Sequence, residues 1–243
     1  MDKPFPFLKM PNLRPPLIIA LDGPAASGKS TVAIRIAEKM DIFYINTGYM
    51  YRAVALRCMQ KGVSHDADIA KIKEVVENIK FEIKEKRIMV DGQDISKEVA
   101  SVEVENKVSY FASLKAVREV LIKKQRQLAN EHSVILDGRD IGTVVFPKAQ
   151  IKIFLSATPQ TRAKRRYEEL KQKFPDKTLN YEEILKDIIK RDNMDAQRAI
   201  SPLKKANDAI EIDTTFLSLE DTYQQVLSTI IIHSKKTIHK NPQ

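Results

Sequence analysis

The pattern of apolar positions becomes regular at Leu17. "LIIALDG" is a nearly continuous apolar run closed by Asp-Gly, which predicts a strand buried on both faces, as in a parallel sheet. Val32, Ile36 and Met40 then recur every four residues with Ala33 and Ala37 beside them, which is one face of a helix. "IFYI" at 42–45 predicts a second strand, and "NTGYMYRA" opens a helix running to Gly62, a residue suited to ending it. From 64 to about 100 the character changes. An amphipathic helix near 67–79 precedes "FEIKEKRIMVDGQDI", whose loose alternation around "KEKR" predicts a hairpin and so a small inserted subdomain. One long helical segment spans Val102 to Asn130. "SVILDGRD", "IKIFLSAT" and "AIEIDT" supply three more strands. Thr158 with Pro159, Asn180 with Glu183, and Ser218 each mark the head of a helix. Strands alternating with helices predict an α/β fold around a parallel sheet.

Composition narrows this only in part. The 243 residues, 43% hydrophobic and 30% charged, suit one sizeable domain with insertions. A single cysteine, Cys58, excludes an internal disulfide and suits a cytoplasmic location. No apolar run reaches the length of a membrane span. The net charge is +9, but the basic residues fall in short groups such as Arg162, Lys164, Arg165 and Arg166. With no zinc-finger spacing and no aromatic-interleaved RNA pattern, nucleotide phosphates are favoured over a nucleic acid, which stays a minor reading. Residues 1–16 hold five of the eleven prolines and no apolar signal-peptide core, so an extended arm is expected there. The basic end, 233–243, is expected to be a solvated tail.

The chemistry begins at "GPAASGKST", residues 23–31. Between an apolar strand and an amphipathic helix, Gly23, Pro24, Ala25, Ala26, Ser27 and Gly28 match a P-loop, whose backbone N–H groups cradle phosphate oxygens. Lys29 reaches the β- and γ-phosphates, Ser30 offers a hydroxyl to magnesium, and Thr31 completes the stretch. The loop alone leaves the reaction open. No guanine-reading motif is present, the nearest string being "NKVS" at 106–109, which argues against a GTPase. A short chain with an insertion leans toward a small-molecule kinase, with a nucleic-acid-associated ATPase as the other class.

Arginines supply the next clue. Arg191, Asp195 and Arg198 are spaced i, i+4, i+7 and share a helix face, either a solvated ion-pair stripe or a surface for phosphate and sugar. In "ILDGRDIGTVVFP", Asp137 closes a buried strand and so lies at the carboxyl edge of the sheet, where α/β proteins bind ligands. It is placed to orient magnesium through water, and Arg139 to clamp a second phosphate. Five of the seven glycines (23, 28, 48, 138 and 142) fall in these loops.

Together, "GPAASGKST", "NTGYMYRA", the 64–100 insertion, "LDGRDIGTVVFP" and "RDNMDAQRAISPL" resemble the cytidylate kinase family, the CMP/dCMP kinases of the nucleoside-monophosphate kinase group, over Leu17 to about Ile231. The resemblance implies a P-loop kinase domain over 17–232 with sheet order 2-3-1-4-5, a CMP-binding insertion near 64–100 and a mobile lid near 157–178. It implies ATP-dependent phosphorylation of CMP and dCMP, with ATP and magnesium at 23–31 and Lys29, Asp137, Arg139 and Arg191 in transfer. Thr47, Arg52, Arg139 and Arg198 match positions around the acceptor phosphate. Ser109, Arg118 and Asp140 match positions that read cytosine, and Arg191 and Asp195 positions near the pentose. Arg162, Arg165 and Arg166 would close on the transferring phosphate. No membrane, no specific nucleic acid and a monomeric state are expected, and a kinase for another nucleoside monophosphate is the alternative. Three positions depart from the family pattern: Asn46 stands where an aspartate is usual, Tyr49 where a small residue is, and "SLKAVR" lacks a frequent proline.

Overall fold

The computed structural model describes residues 16–64, 67–84, 86–130 and 132–238. Residues 1–15 of the proline-rich arm, the end of the basic tail and one residue of the "KEKR" turn lie outside the described residues. In chain order the elements are β1 (Ile18–Asp22), α1 (Lys29–Met40), β2 (Phe43–Asn46), α2 (Thr47–Gln60), α3 (Ile69–Asn78), β3 (Phe81–Lys84), β4 (Arg87–Val90), α4 (Val102–Ser113), α5 (Lys115–Leu128), β5 (Val134–Gly138), β6 (Ile151–Ser156), α6 (Pro159–Lys173), α7 (Tyr181–Ala196), β7 (Ile210–Asp213) and α8 (Leu219–Ile238). Five strands form one parallel sheet in the order β2-β5-β1-β6-β7. Counted among themselves, that is the order 2-3-1-4-5 implied by the resemblance. Among the described residues, no helix is long and apolar enough to cross a membrane.

The chain divides into two compact units. The first ends its opening segment at Ile18 and resumes over Ala37–Gly138. In it β2 pairs with β5 in the register Phe43↔Val134 to Asn46↔Asp137, so Asn46 and Asp137 end their strands side by side. Helix α2 buries Met50, Val54 and Cys58, and α3 buries Ile72, Val75 and Val76. The hairpin predicted in the insertion is present as antiparallel β3–β4. Gly62, with φ +66, follows the end of α2 as anticipated. The long helix expected over 102–130 is two helices. Leu114 stands extended between them at φ −74, ψ 126, and the Ser113 hydroxyl donates to the Tyr110 carbonyl at 2.7 Å. A side chain bonding back to the last turn favours a break over continued helix, and apolar periodicity cannot register a one-residue interruption.

The second unit holds Ile19–Ile36 and the chain from Arg139 onward. Here β1 pairs with β6 from Ile19↔Ile151 to Asp22↔Phe154, and β6 with β7 from Ile153↔Ile210 to Ser156↔Asp213. Ile19, Ala20 and Leu21 are fully buried, as the unbroken apolar run required. One element had no sequence signal. Ile141–Val145 form a single wide turn in which the Val145 and Phe146 amides donate to the Asp140 and Ile141 carbonyls at 3.1 and 2.7 Å. The 64–100 stretch falls within the first unit and the 157–178 stretch within the second.

Candidate active site

In the second unit, β1 hands the chain to the glycine loop. Gly23 has φ +150, and a Cβ built there would meet the Leu155 carbonyl oxygen at 2.1 Å, so no side chain is tolerated. Ala26 and Gly28, at φ 57 and 88, curl the loop in the manner that turns successive N–H groups to one side. The Lys29 ammonium, buried, folds over the loop and donates to the Pro24 carbonyl at 2.6 Å and the Ser27 hydroxyl at 3.2 Å. Ser30 is the second residue of α1. The loop is braced from α6. Arg162, buried, donates to both Asp192 oxygens at 3.0 and 2.5 Å, to the Ala157 carbonyl at 3.0 Å and to the Ala25 carbonyl at 3.2 Å.

Arg165, one turn on, donates to the Thr214 hydroxyl and carbonyl at 3.0 and 2.6 Å and to the Leu217 carbonyl at 3.2 Å. Of the three arginines expected to meet the transferring phosphate, two are thus committed to internal acceptors. Partly exposed Arg166 pairs with exposed Glu169 at 2.8 Å.

Downstream, the same unit gathers an ion cluster. Arg139 Nε donates to Asp195 Oδ2 at 2.9 Å and Arg198 to Oδ1 of the same carboxylate. The Asp195 side chain is only 3% exposed. Burial alone would raise its carboxyl, but the charges of Arg139, Arg198 and Arg191 outweigh that and hold it below the usual carboxylate range. One expectation needs correcting. The three residues were placed on one helix face, but α7 ends at Ala196 with Gln197 as its C-cap, so Arg198 lies beyond the helix. It reaches Asp195 from the loop that leads to Ser201, at φ 54, and Pro202.

Asp22 joins these candidates from the structure rather than from the sequence. It is buried at the end of β1, and its Oδ1 and Oδ2 accept from the Ile141 and Gly142 amides at 2.8 and 2.7 Å. Burial pushes its carboxyl up to about 6; the two amides and Lys29 oppose that rise and nearby Asp140 adds to it. The signal was available, because an acid closing a buried strand is the pattern that singled out Asp137. Asp140 itself is buried at the head of the wide turn.

The first unit carries the remaining candidates. Thr47, the first residue of α2, donates its hydroxyl to the Asp137 carbonyl at 2.7 Å, while Asp137 Oδ1 accepts from the Tyr44 hydroxyl at 3.1 Å. Asn46 caps α2, its Oδ1 accepting from the Tyr49 amide at 2.9 Å, so an amide suffices for that duty. Arg52 lies 4.0 Å from Glu105 of α4, and Ser109 follows Glu105 one turn later. Arg118 on α5 is 1% exposed; it donates to the Ala112 carbonyl at 3.0 Å and lies 5.2 Å over the Tyr51 ring. Helices α2, α4 and α5 pack on one another, which brings Arg52, Ser109 and Arg118 onto one helical cluster. Glu105 and Tyr51 join it without having been flagged by the sequence.

The chain matches the family model described as cytidylate kinase over residues 19–232. It is 47% identical over 217 residues to the cytidylate kinase of Clostridioides difficile strain 630, covering 88% of this chain and 98% of that one. It is 43% identical to the cytidylate kinase of Clostridium tetani strain Massachusetts / E88, covering 92% and 99%. With the cytidylate kinase of Bacillus subtilis strain 168 it shares 44% identity, covering 88% and 96%.

Proposed function

The chain belongs to the cytidylate kinase family, and from that membership we propose how its residues divide the transfer of a phosphoryl group from ATP to CMP or dCMP. Products are CDP or dCDP and ADP. An oxygen of the acceptor phosphate attacks the γ-phosphorus as the bond to the β–γ bridging oxygen breaks, and ADP leaves with that electron pair. The nucleophile is already an oxyanion, so no strong base is required, and catalysis reduces to placement and charge neutralisation.

Residues 23–31 hold the donor phosphates, with Lys29 turning its ammonium from the Pro24 carbonyl to the β- and γ-phosphates. Arg52, Arg139 and Arg198, with Thr47, hold the acceptor phosphate. Arginine suits this because its planar fork grips two oxygens at once. Asp195 keeps Arg139 and Arg198 aimed before substrate arrives and, with Arg191, lies near the pentose. Ser109, Arg118 and Asp140 read the base, an acid being the natural acceptor for the cytosine amino group. Magnesium would be held by the Ser30 hydroxyl, a hard oxygen donor, with Asp137 orienting it through water. When bound it neutralises phosphate charge. Closure of the 157–178 segment excludes water and suppresses ATP hydrolysis. A monomer in the cytoplasm fits this reading.

The observation that supports the proposal most is the pairing, in one compact unit, of the glycine loop under Lys29 with two arginines aimed by a buried Asp195. Chromatography of a reaction with ATP and CMP tests it. Equimolar CDP and ADP are expected; ADP and inorganic phosphate without CDP would indicate an ATPase instead.

A further inference from the structure

The wide turn after Arg139 has no regular ladder to hold it. Its first two free amides, Ile141 and Gly142, are both taken by one side chain, the carboxylate of Asp22, at 2.8 and 2.7 Å. Asp22 is at the same time the residue immediately before the glycine loop. Gly142 is seated tightly in this grip: a Cβ there would come within 3.4 Å of Asp22 Oδ2 and 3.1 Å of the Lys152 stem. Two amide hydrogens converging on one carboxylate is an arrangement only the ionised acid satisfies fully. A protonated acid presents a donor to one of them, and an asparagine presents its NH₂.

We infer that Asp22 is a positioning residue for base selection: its carboxylate fixes the 140–145 turn and thereby sets Asp140 against the acceptor base. The argument rests on the base-reading role given to Asp140. The charged and titratable groups around Asp22 are few. Lys29 faces it from the start of α1 and Asp140 from the head of the turn. From β6, Lys152 presents only its stem, its ammonium being held by the Pro147 carbonyl and both oxygens of Asp208 at 2.6 to 2.9 Å. Because burial resists the charge on Asp22, carrying its carboxyl up to about 6, the grip is complete at pH 8 and weakened at pH 5.5.

The test is the ratio of kcat/KM for CMP to that for UMP, in which the titration of the acceptor phosphate, common to both, cancels. For wild type the ratio is expected to fall between pH 8 and pH 5.5. For Asp22→Asn it is expected to be about tenfold lower at pH 8, the effect of losing one charge-assisted hydrogen bond, and nearly flat with pH. Asp140→Ala is the control. If Asp140→Ala leaves the ratio unchanged, the base-reading role itself is refuted. If Asp140→Ala lowers it while Asp22→Asn does not, or if the wild-type ratio is level from pH 8 to 5.5, the positioning role of Asp22 is overturned. The wild-type pH series stands even if Asp22→Asn fails to fold.

Discussion

Two buried carboxylates in the same unit are pushed in opposite directions, and the contrast states what each does. Asp195 has two arginines bonded to it and a third nearby, so it is held ionised. Its contribution to stability is present above the ordinary carboxylate range and lost as pH falls through its lowered pKa. Asp195→Asn leaves buried guanidinium charge uncompensated, which typically costs about 3–5 kcal/mol. Urea denaturation at pH 7 should show a loss of that order, narrowing as pH drops below the ordinary carboxylate range. Asp22 behaves in reverse. Its folded pKa of about 6 lies above the ordinary 3.8, so its contribution favours the fold at low pH and is lost as pH rises through 6. The displacement corresponds to about 3 kcal/mol. The stability difference between Asp22→Asn and wild type should therefore shift toward the variant as pH rises from 4 to 7. A pH-independent difference would mean Asp22 is solvated in solution. Arg118 belongs at this scale too. Arg118→Ala is expected to lower discrimination between CMP and UMP by about 1–3 kcal/mol, read as the kcat/KM ratio.

At the scale of elements, α2 shows how a departure from the family pattern is accommodated. Tyr49 sits in its first turn, at the position where the family pattern commonly has a small residue. Its hydroxyl accepts from the Ile95 amide at 3.3 Å, tying the helix that carries Thr47 and Arg52 to the end of the insertion. Tyr49→Phe should cost about 0.5–1.5 kcal/mol in chemical denaturation, the worth of one hydrogen bond. No change would make the contact incidental. The strands and most helices were legible because burial on both faces writes a continuous apolar run and burial on one face a 3.6-residue period. The break at Leu114 and the wide turn at Ile141–Val145 were not legible. Both carry bonds between one side chain and the backbone, one from Ser113 in the first case and two to Asp22 in the second, and such bonds leave no periodic trace. The commitment of Arg162 and Arg165 to internal carbonyls was hidden for the same reason, since a basic cluster reads alike whether it faces solvent or the Ala25 and Thr214 carbonyls.

At the scale of the molecule, the net charge of +9 invites a nucleic-acid reading. Much of the strongest basic chemistry, however, is spent within the chain, on Asp192, Asp195 and the carbonyls around the glycine loop. What remains is the general attraction of a basic surface for polyanions, which salt screens. At this scale the candidate site shows in the sequence because phosphate binding favours glycine loops and arginines, and five of the seven glycines fall in the stretches that carry the candidates. Lys29→Ala is expected to abolish turnover while leaving the thermal transition near that of wild type; retained activity would refute the donor loop. The most direct measurement of the central claim is ADP release in a coupled assay with ATP and a panel of CMP, dCMP, UMP, AMP and TMP. CMP and dCMP are predicted to be the preferred acceptors by kcat/KM. Absence of turnover with CMP, or a higher kcat/KM for any of the other three, would contradict the account.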